Sequence, residues 1–218
     1  MIVCRVEMLN GRCRGGQEST TALLSHSEAR PVLFIDPHGG WGTPTQSRIL
    51  ELGRNRRWWV RAHNLTVDQA RSWLDSGAEQ VLIPASRVGA MLKELPAGTV
   101  AVDLCGDADV LGAIKALAGR VGAFRVPAGA NADPEWVRSA AGTPVCAVDP
   151  KNVDVIRTLN RRGFDVEMPL VGGPVAVSEA LRALSPPIDA AMPEADGPGG
   201  AEDPFETVTV SFLGSDDD

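Results

Sequence analysis

Several acidic and basic residues sit near the ends of short apolar runs, where strand alternation can turn them to a common side. Glu7 ends "CRVE", Asp36 ends "LFID", Asp103 ends "VAVD" and Asp149 ends "CAVD". Arg5, Arg61 with His63, Arg125 and Lys151 occupy comparable places. Carboxylates brought together from separate strands can take a proton from carbon and return it elsewhere. Guanidinium groups bind carboxylate or phosphate through planar, permanently charged forks. If withdrawn from water, these charges must pair, because an unpaired buried charge costs several kcal/mol. The same pairs could therefore serve only to fill a polar interior. His63 is open to two readings, a hydrogen-bonded structural imidazole or an acid-base group.

The elements that must carry these residues alternate. Strand-like runs are "MIVCRVEML", "RPVLFID", "RWWVRAH", "EQVLIPA", "TVAVDLC", "VGAFRVP", "TPVCAVD" and "FDVEMPLV". Helical patterns occupy 43–54, 66–76, 87–95, 107–118, 133–141, 152–162 and 177–184. Thr66 and Asp133 (followed by Pro134) stand where N-caps belong, and Gly77, Gly119, Gly142 and Gly163 where helices stop. Eight strands joined by helix-sized crossovers predict a compact (β/α)8 barrel over residues 1–184. Its first helix is reduced, because "NGRCRGGQESTTALLSHSEA" is rich in Gly and Ser. An open doubly wound sheet is the rival, but no G-x-G-x-x-G follows the first strand.

In a barrel, side chains alternate between the interior and the helical layer, and chemistry sits at the C-terminal strand ends. Turning Val3, Arg5 and Glu7 inward predicts Asp36, Arg61, His63, Asp103, Arg125 and Asp149 at one opening. Strands four and eight read as apolar there, through Ile83, Met168 and Leu170.

The bulk charge of −7 misleads, since residues from Ser185 onward hold nine acids and no Lys or Arg. The remaining chain is nearly neutral, so no nucleic-acid partner is implied. Cys4, Cys13, Cys105 and Cys146 form no C-x-x-C pair and read as buried free thiols, and His26, His38 and His63 lack metal-ligand spacing. No metal or cofactor is implied, and no run is long and apolar enough to span a membrane, so a cytoplasmic setting is expected. Residues 185–218 form an acidic Pro/Gly-rich tail expected to be a flexible linker with a possible short strand over 205–213. Such a strand would dock on the barrel itself or on a protein partner; plain disorder is the other reading.

The order of pieces resembles the histidine-biosynthesis barrels, proFAR isomerase (phosphoribosylformimino-5-aminoimidazole carboxamide ribotide isomerase) and the cyclase subunit of imidazole glycerol phosphate synthase. "IVCRVEMLNGR" is similar to that family's first strand, with its catalytic acid and following turn. "VLFIDPHGGWGTPTQSRILELG" resembles the second strand and its loop, "TVDQARSWLDSGAEQVLIPASRV" the third helix and fourth strand, and "TVAVDLCG" the fifth strand. The resemblance implies a barrel with Glu7 and Asp103 as the acid and base of an Amadori-type rearrangement. Family members also cradle two phosphates on Gly-rich loops. Here the third-strand glycine pair is replaced by Ala62-His63, the fourth and seventh loops read "PASRV" and "AVDPKN", and only Gly172-Gly173 survives. Backbone cradles need glycine for close approach. The expected substrate is therefore a smaller anionic or phosphorylated molecule, probed by Arg61 and Arg125, rather than the histidine-pathway intermediate. A further likeness is to proFAR-isomerase-related barrels associated with tetrahydromethanopterin-linked one-carbon metabolism. The alternatives are a lyase or aldolase-type enzyme on this scaffold and a non-catalytic barrel serving as a binding or assembly subunit.

Overall fold

A computed structural model gives the architecture, and it describes residues 2–14, 24, 31–36, 44–62, 64–128, 132–148 and 153–169. Its strands are β1 (Ile2–Leu9), β2 (Arg12–Cys13), β3 (Val32–Asp36), β4 (Trp58–Ala62), β5 (Gln80–Pro84), β6 (Val100–Asp103), β7 (Ala123–Pro127), β8 (Val145–Val148) and β9 (Asp165–Pro169). Between them run α1 (Pro44–Gly53), α2 (Val67–Asp75), α3 (Ala85–Glu94), α4 (Val110–Leu117), α5 (Pro134–Ser139) and α6 (Val153–Arg161). β1 and β3 to β9 pair in parallel in sequence order, and β1 pairs with β9 to close the ring. The fold is a (β/α)8 barrel. Among the described residues no helix is long and apolar enough to cross a membrane.

Local chemistry explains the boundaries. Thr66 accepts from the Gln69 amide while the Gln69 side chain accepts from the Thr66 amide, a reciprocal cap that fixes the start of α2. Asp133 caps α5 ahead of Pro134, which has no amide proton to leave unpaired. Gly77 leaves α2 with φ +103°, a conformation in which any Cβ is strained. β2, absent from the strands read in the sequence, arises from "NG": Asn10 and Gly11 both take positive φ, the pattern of a two-residue hairpin turn.

Alternation divides the core in two. Phe34, Trp58, Val60, Val81, Phe124 and Val166 face the helices, with Trp58 edge-on to both Phe34 and Trp73 at 6.0 Å. Val3, Leu33, Ile35, Trp59, Leu82, Ala101, Ala123 and Cys146 pack inside the ring. Three of the alternation assignments change. On β3 the interior positions are Leu33 and Ile35, so Asp36 shares the helix-facing side of Phe34. On β5 the interior residue is Leu82, not Ile83. β9 turns Glu167 inward, between Val166 on the helical side and the strand's end, so the eighth barrel strand is not apolar within. His63, Asp149, Lys151, Gly172, Gly173, helix 177–184, the 185–218 tail and nearly all of the first crossover lie outside the described residues.

Candidate functional site

Above the apolar floor of the barrel lies a layer of charge. Arg125 on β7 is its centre. Its Nε and Nη2 donate to the two Glu167 oxygens at 2.6 and 3.0 Å, and its Nη1 donates to both Asp103 oxygens at 3.0 and 3.2 Å. Arg5 donates to Glu167 at 3.1 Å and lies 3.4 Å from Glu7. Arg14, carried over by the β1–β2 hairpin, holds the other Glu7 oxygen at 2.9 Å. On the far side Arg61 pairs with Asp103 at 3.0 Å. The chain of contacts runs Arg14, Glu7, Arg5, Glu167, Arg125, Asp103, Arg61, alternating in sign at every step.

Burial increases toward the middle. Glu167 is 1% exposed and Arg125 8%, whereas the Arg61 side chain keeps 40% of its surface. Desolvation would lower the Arg125 pKa, but the hydrogen bonds and charge of Glu167, with the charge of Asp103, outweigh it and raise the pKa above its ordinary value. Arg125 is therefore a fixed cation spent on two carboxylates. It was expected to serve a bound anion, and its hydrogen-bonding capacity is instead directed into the barrel.

Glu7 and Asp103 stand on the first and fifth barrel strands, on opposite sides of the ring. They were expected to face each other across an open pocket. Contacts between them run instead through Arg5, Glu167 and Arg125. Glu167 is the residue that sequence reasoning missed. A signal existed: strand eight reads "DVEMP", in which Glu167 stands between Val166 and Met168 and could answer the arginines at 5 and 125.

The open space is elsewhere, in a cavity of about 340 Å3 at the ends of β3, β4 and β5. That volume suits a small metabolite. Its wall combines Ile35 and Arg61, which face the barrel interior, with Asp36, Ala62 and Ile83, which face the helices. Residues from both sides of one sheet can share a cavity where the strands end or part. The ladders confirm the parting: β3–β4 pairs to Asp36↔Ala62 and β5–β6 to Pro84↔Asp103, but β4–β5 pairs only Trp59↔Gln80 and Val60↔Val81. Asp36 thus reaches the mouth although its alternation was misjudged. Asn64, at φ +52°, and Arg87, in the first turn of α3, complete the polar lining. Arg87 donates to the Leu65 carbonyl at 2.6 Å, which holds the loop after β4 against α3.

Of the four cysteines, Cys4, Cys13 and Cys146 are buried as expected, but Cys105 is exposed, at the turn after β6. Its amide donates to Asp103. Protein packed around the thiol pushes its pKa up to about 12; Arg125 pulls the other way, and Asp103 adds to the rise. The raised pKa disfavours the thiolate of Cys105 at neutral pH. Iodoacetamide at neutral pH is expected to alkylate Cys105 roughly fifty-fold more slowly than a short-peptide thiol, because thiolate is scarce and only partly offset by greater nucleophilicity. Mass-spectrometric labelling rates check this, and peptide-like reactivity would contradict the assignment. Among the described residues no cluster of His, Cys, Asp and Glu could hold a metal ion.

No protein-family model and no curated protein matches the chain. Solved structures do match in fold. 3-Hexulose-6-phosphate synthase from Salmonella typhimurium superposes with a TM-score of 0.60 at 11% identity, over 84% of this chain and 97% of that one. An HpcH/HpaI aldolase from Desulfitobacterium hafniense DCB-2 gives 0.56 at 10%, over 84% and 89%. A structure described as native KDPGal gives 0.56 at 10%, over 84% and 93%. At such identities the likeness carries the fold alone. The chain is similar to aldolase- and synthase-type barrels in architecture.

Proposed function

We propose that the chain is a barrel enzyme that binds a small anionic or singly phosphorylated metabolite between β3, β4 and β5 and moves a proton beside its carbonyl group. The observation that carries this reading is Arg61, which lines the cavity and also contacts the buried carboxylate of Asp103. Arg61 and Arg87 supply the positive side for the ligand's anion, in place of glycine-loop amides. Ile35, Leu65, Ile83 and Pro84 supply the apolar side that excludes water. Asp103 takes the proton from the carbon next to the carbonyl. The C–H electron pair passes to the carbonyl oxygen, and the resulting enediolate lies against guanidinium charge. The neighbouring hydroxyl passes its proton to the former carbonyl oxygen, and return of the carbon-derived proton from Asp103 to the former carbonyl carbon completes an aldose–ketose isomerisation.

Isomerisation is favoured over Schiff-base aldol cleavage by the scarcity of lysine. The sequence has three; Lys93 and Lys115 sit on α3 and α4, and Lys151 lies outside the described residues. The resemblance to histidine-biosynthesis barrels supports the same choice, and their tetrahydromethanopterin-linked relatives suggest one-carbon metabolism as a setting. A non-catalytic barrel is the second reading, favoured by the placement of both Glu7 and Asp103 between arginines and outside the cavity wall.

Solvent exchange separates the readings. A panel of phosphorylated aldoses and ketoses is incubated with the protein in D2O, and deuterium at the carbon beside the carbonyl is followed by NMR. At least one compound is expected to exchange with the wild type and not with Asp103→Asn. Exchange lost equally in Glu7→Gln would restore the two-carboxylate scheme. Absence of protein-dependent exchange across the panel would favour the non-catalytic barrel.

A further inference from the structure

The contact between Arg61 and Asp103 poses a problem for any enzyme working in this cavity. Asp103, the acid assigned as the base, lies behind Arg61, the cation that lines the cavity and is assigned to the substrate. Their surroundings suggest how the conflict is resolved. Asp103 accepts from Arg125 Nη1 through both oxygens and from the Cys105 amide through Oδ1, so it stays neutralised and hydrogen-bonded without Arg61. Arg61 is held differently. Its side chain is 40% exposed, against 9% for Arg125, and it sits on the edge of β4 that has parted from β5. One partner of the pair is fixed by two further donors. The other is tethered at one end and borders the cavity.

We infer that Arg61 is a ligand-operated cover on Asp103: an anion entering the cavity draws the Arg61 guanidinium away from Oδ2 and so exposes that oxygen to the bound molecule. The inference rests on the proposed anion site and adds that occupancy and base availability are one event. Oδ2 is shared between Arg61 at 3.0 Å and Arg125 at 3.2 Å. When Arg61 turns to the ligand, Oδ2 keeps the longer contact and gains a free direction toward the cavity. Arg61 thus acts as a positioning residue whose cost of leaving Asp103 is taken from the affinity for the anion. Any substrate lacking an anionic group would leave the base covered, which makes the anion a requirement for turnover as well as for binding.

Competition of this kind has a counterintuitive consequence. Removing the carboxylate that holds Arg61 should strengthen anion binding. With inorganic phosphate as the probe and calorimetric titration of the full chain, Asp103→Asn is expected to bind about five- to tenfold more tightly than wild type, the scale of a partly exposed ion pair. Asp107→Asn removes one charge from the exposed turn after β6 and is expected to leave the affinity within about twofold, so that a general electrostatic effect is separated from the specific one. Equal or weaker binding by Asp103→Asn, with wild type binding phosphate, would overturn the cover and leave the anion site standing. Failure of both proteins to bind phosphate would remove the anion site itself, and the cover with it. Because Asp103→Asn alters a buried network and could fail to fold, arginine side-chain NMR of the wild type gives an independent readout. Phosphate should shift the Arg61 Nε signal and leave that of Arg125 in place. A stationary Arg61 signal at saturating phosphate would overturn the inference.

Discussion

Replacing Glu167 by glutamine is expected to destabilise the protein more than any surface charge change, by about 3–5 kcal/mol. The reason is its position between two cations. Glu167 receives two bonds from Arg125 and one from Arg5, and it is 1% exposed. Glutamine keeps the shape and can accept through one oxygen, but it leaves two buried guanidinium groups short of charge and presents an amide donor to them. For a chain of this size the loss corresponds to a fall of roughly 6–20 °C in the melting midpoint. Glu135→Gln is the natural comparison, because that carboxylate is paired with Arg138 across one helical turn at the surface, and its midpoint should not move measurably. Urea unfolding with an unchanged denaturant slope would confirm that native stability is what changed. A Glu167→Gln protein that melts with the wild type would mean that the alternating network is not what holds the upper barrel together.

Arg61→Met is expected to do the opposite, sparing stability and abolishing ligand response. The partner it abandons, Asp103, remains bonded to Arg125 and to the Cys105 amide. The Arg61 side chain is 40% exposed, so solvent screens most of what the pair contributes, and the loss should stay within about 1 kcal/mol. Phosphate at ten times its dissociation constant should stabilise the wild type by roughly 1.4 kcal/mol, a few degrees in the midpoint, and should not stabilise the variant. Thermal melts of both proteins with and without phosphate test the two halves together. A drop of several kcal/mol in Arg61→Met, combined with no phosphate response in the wild type, would place Arg61 in the structural network rather than at a ligand site.

The barrel was legible because its signals are local and repeated. Each crossover has a cap or a stop that depends only on neighbouring residues, such as Thr66 with Gln69 or Gly77 at φ +103°. Alternation placed Arg5, Glu7, Arg61, Asp103 and Arg125 among the charges of the upper barrel because β1, β4, β6 and β7 carry charge in phase with small or apolar interior residues. It slipped by one on β3, β5 and β9, where apolar residues occupy both faces of the strand; a one-residue slip exchanges the two faces completely. On β9 that slip hid Glu167 behind Met168 and Leu170. The cavity was not legible at all. It depends on how far the β4–β5 ladder runs, which no residue pattern in either strand announces.

That short ladder also changes what the rim can tolerate. In a fully laddered barrel the girth of the opening is fixed, since widening it at any point breaks backbone hydrogen bonds. Here β4 and β5 are joined by two rungs, at Trp59↔Gln80 and Val60↔Val81, and their last residues are not rungs. Bending those tips apart costs side-chain contacts but no further rungs, so the opening has a built-in expansion joint on the side where the arginines stand. Descendants of such a chain could enlarge or shrink their ligand by exchanging Ala62, Ile83 or Pro84 at the joint while the closure made by the other seven seams stays intact.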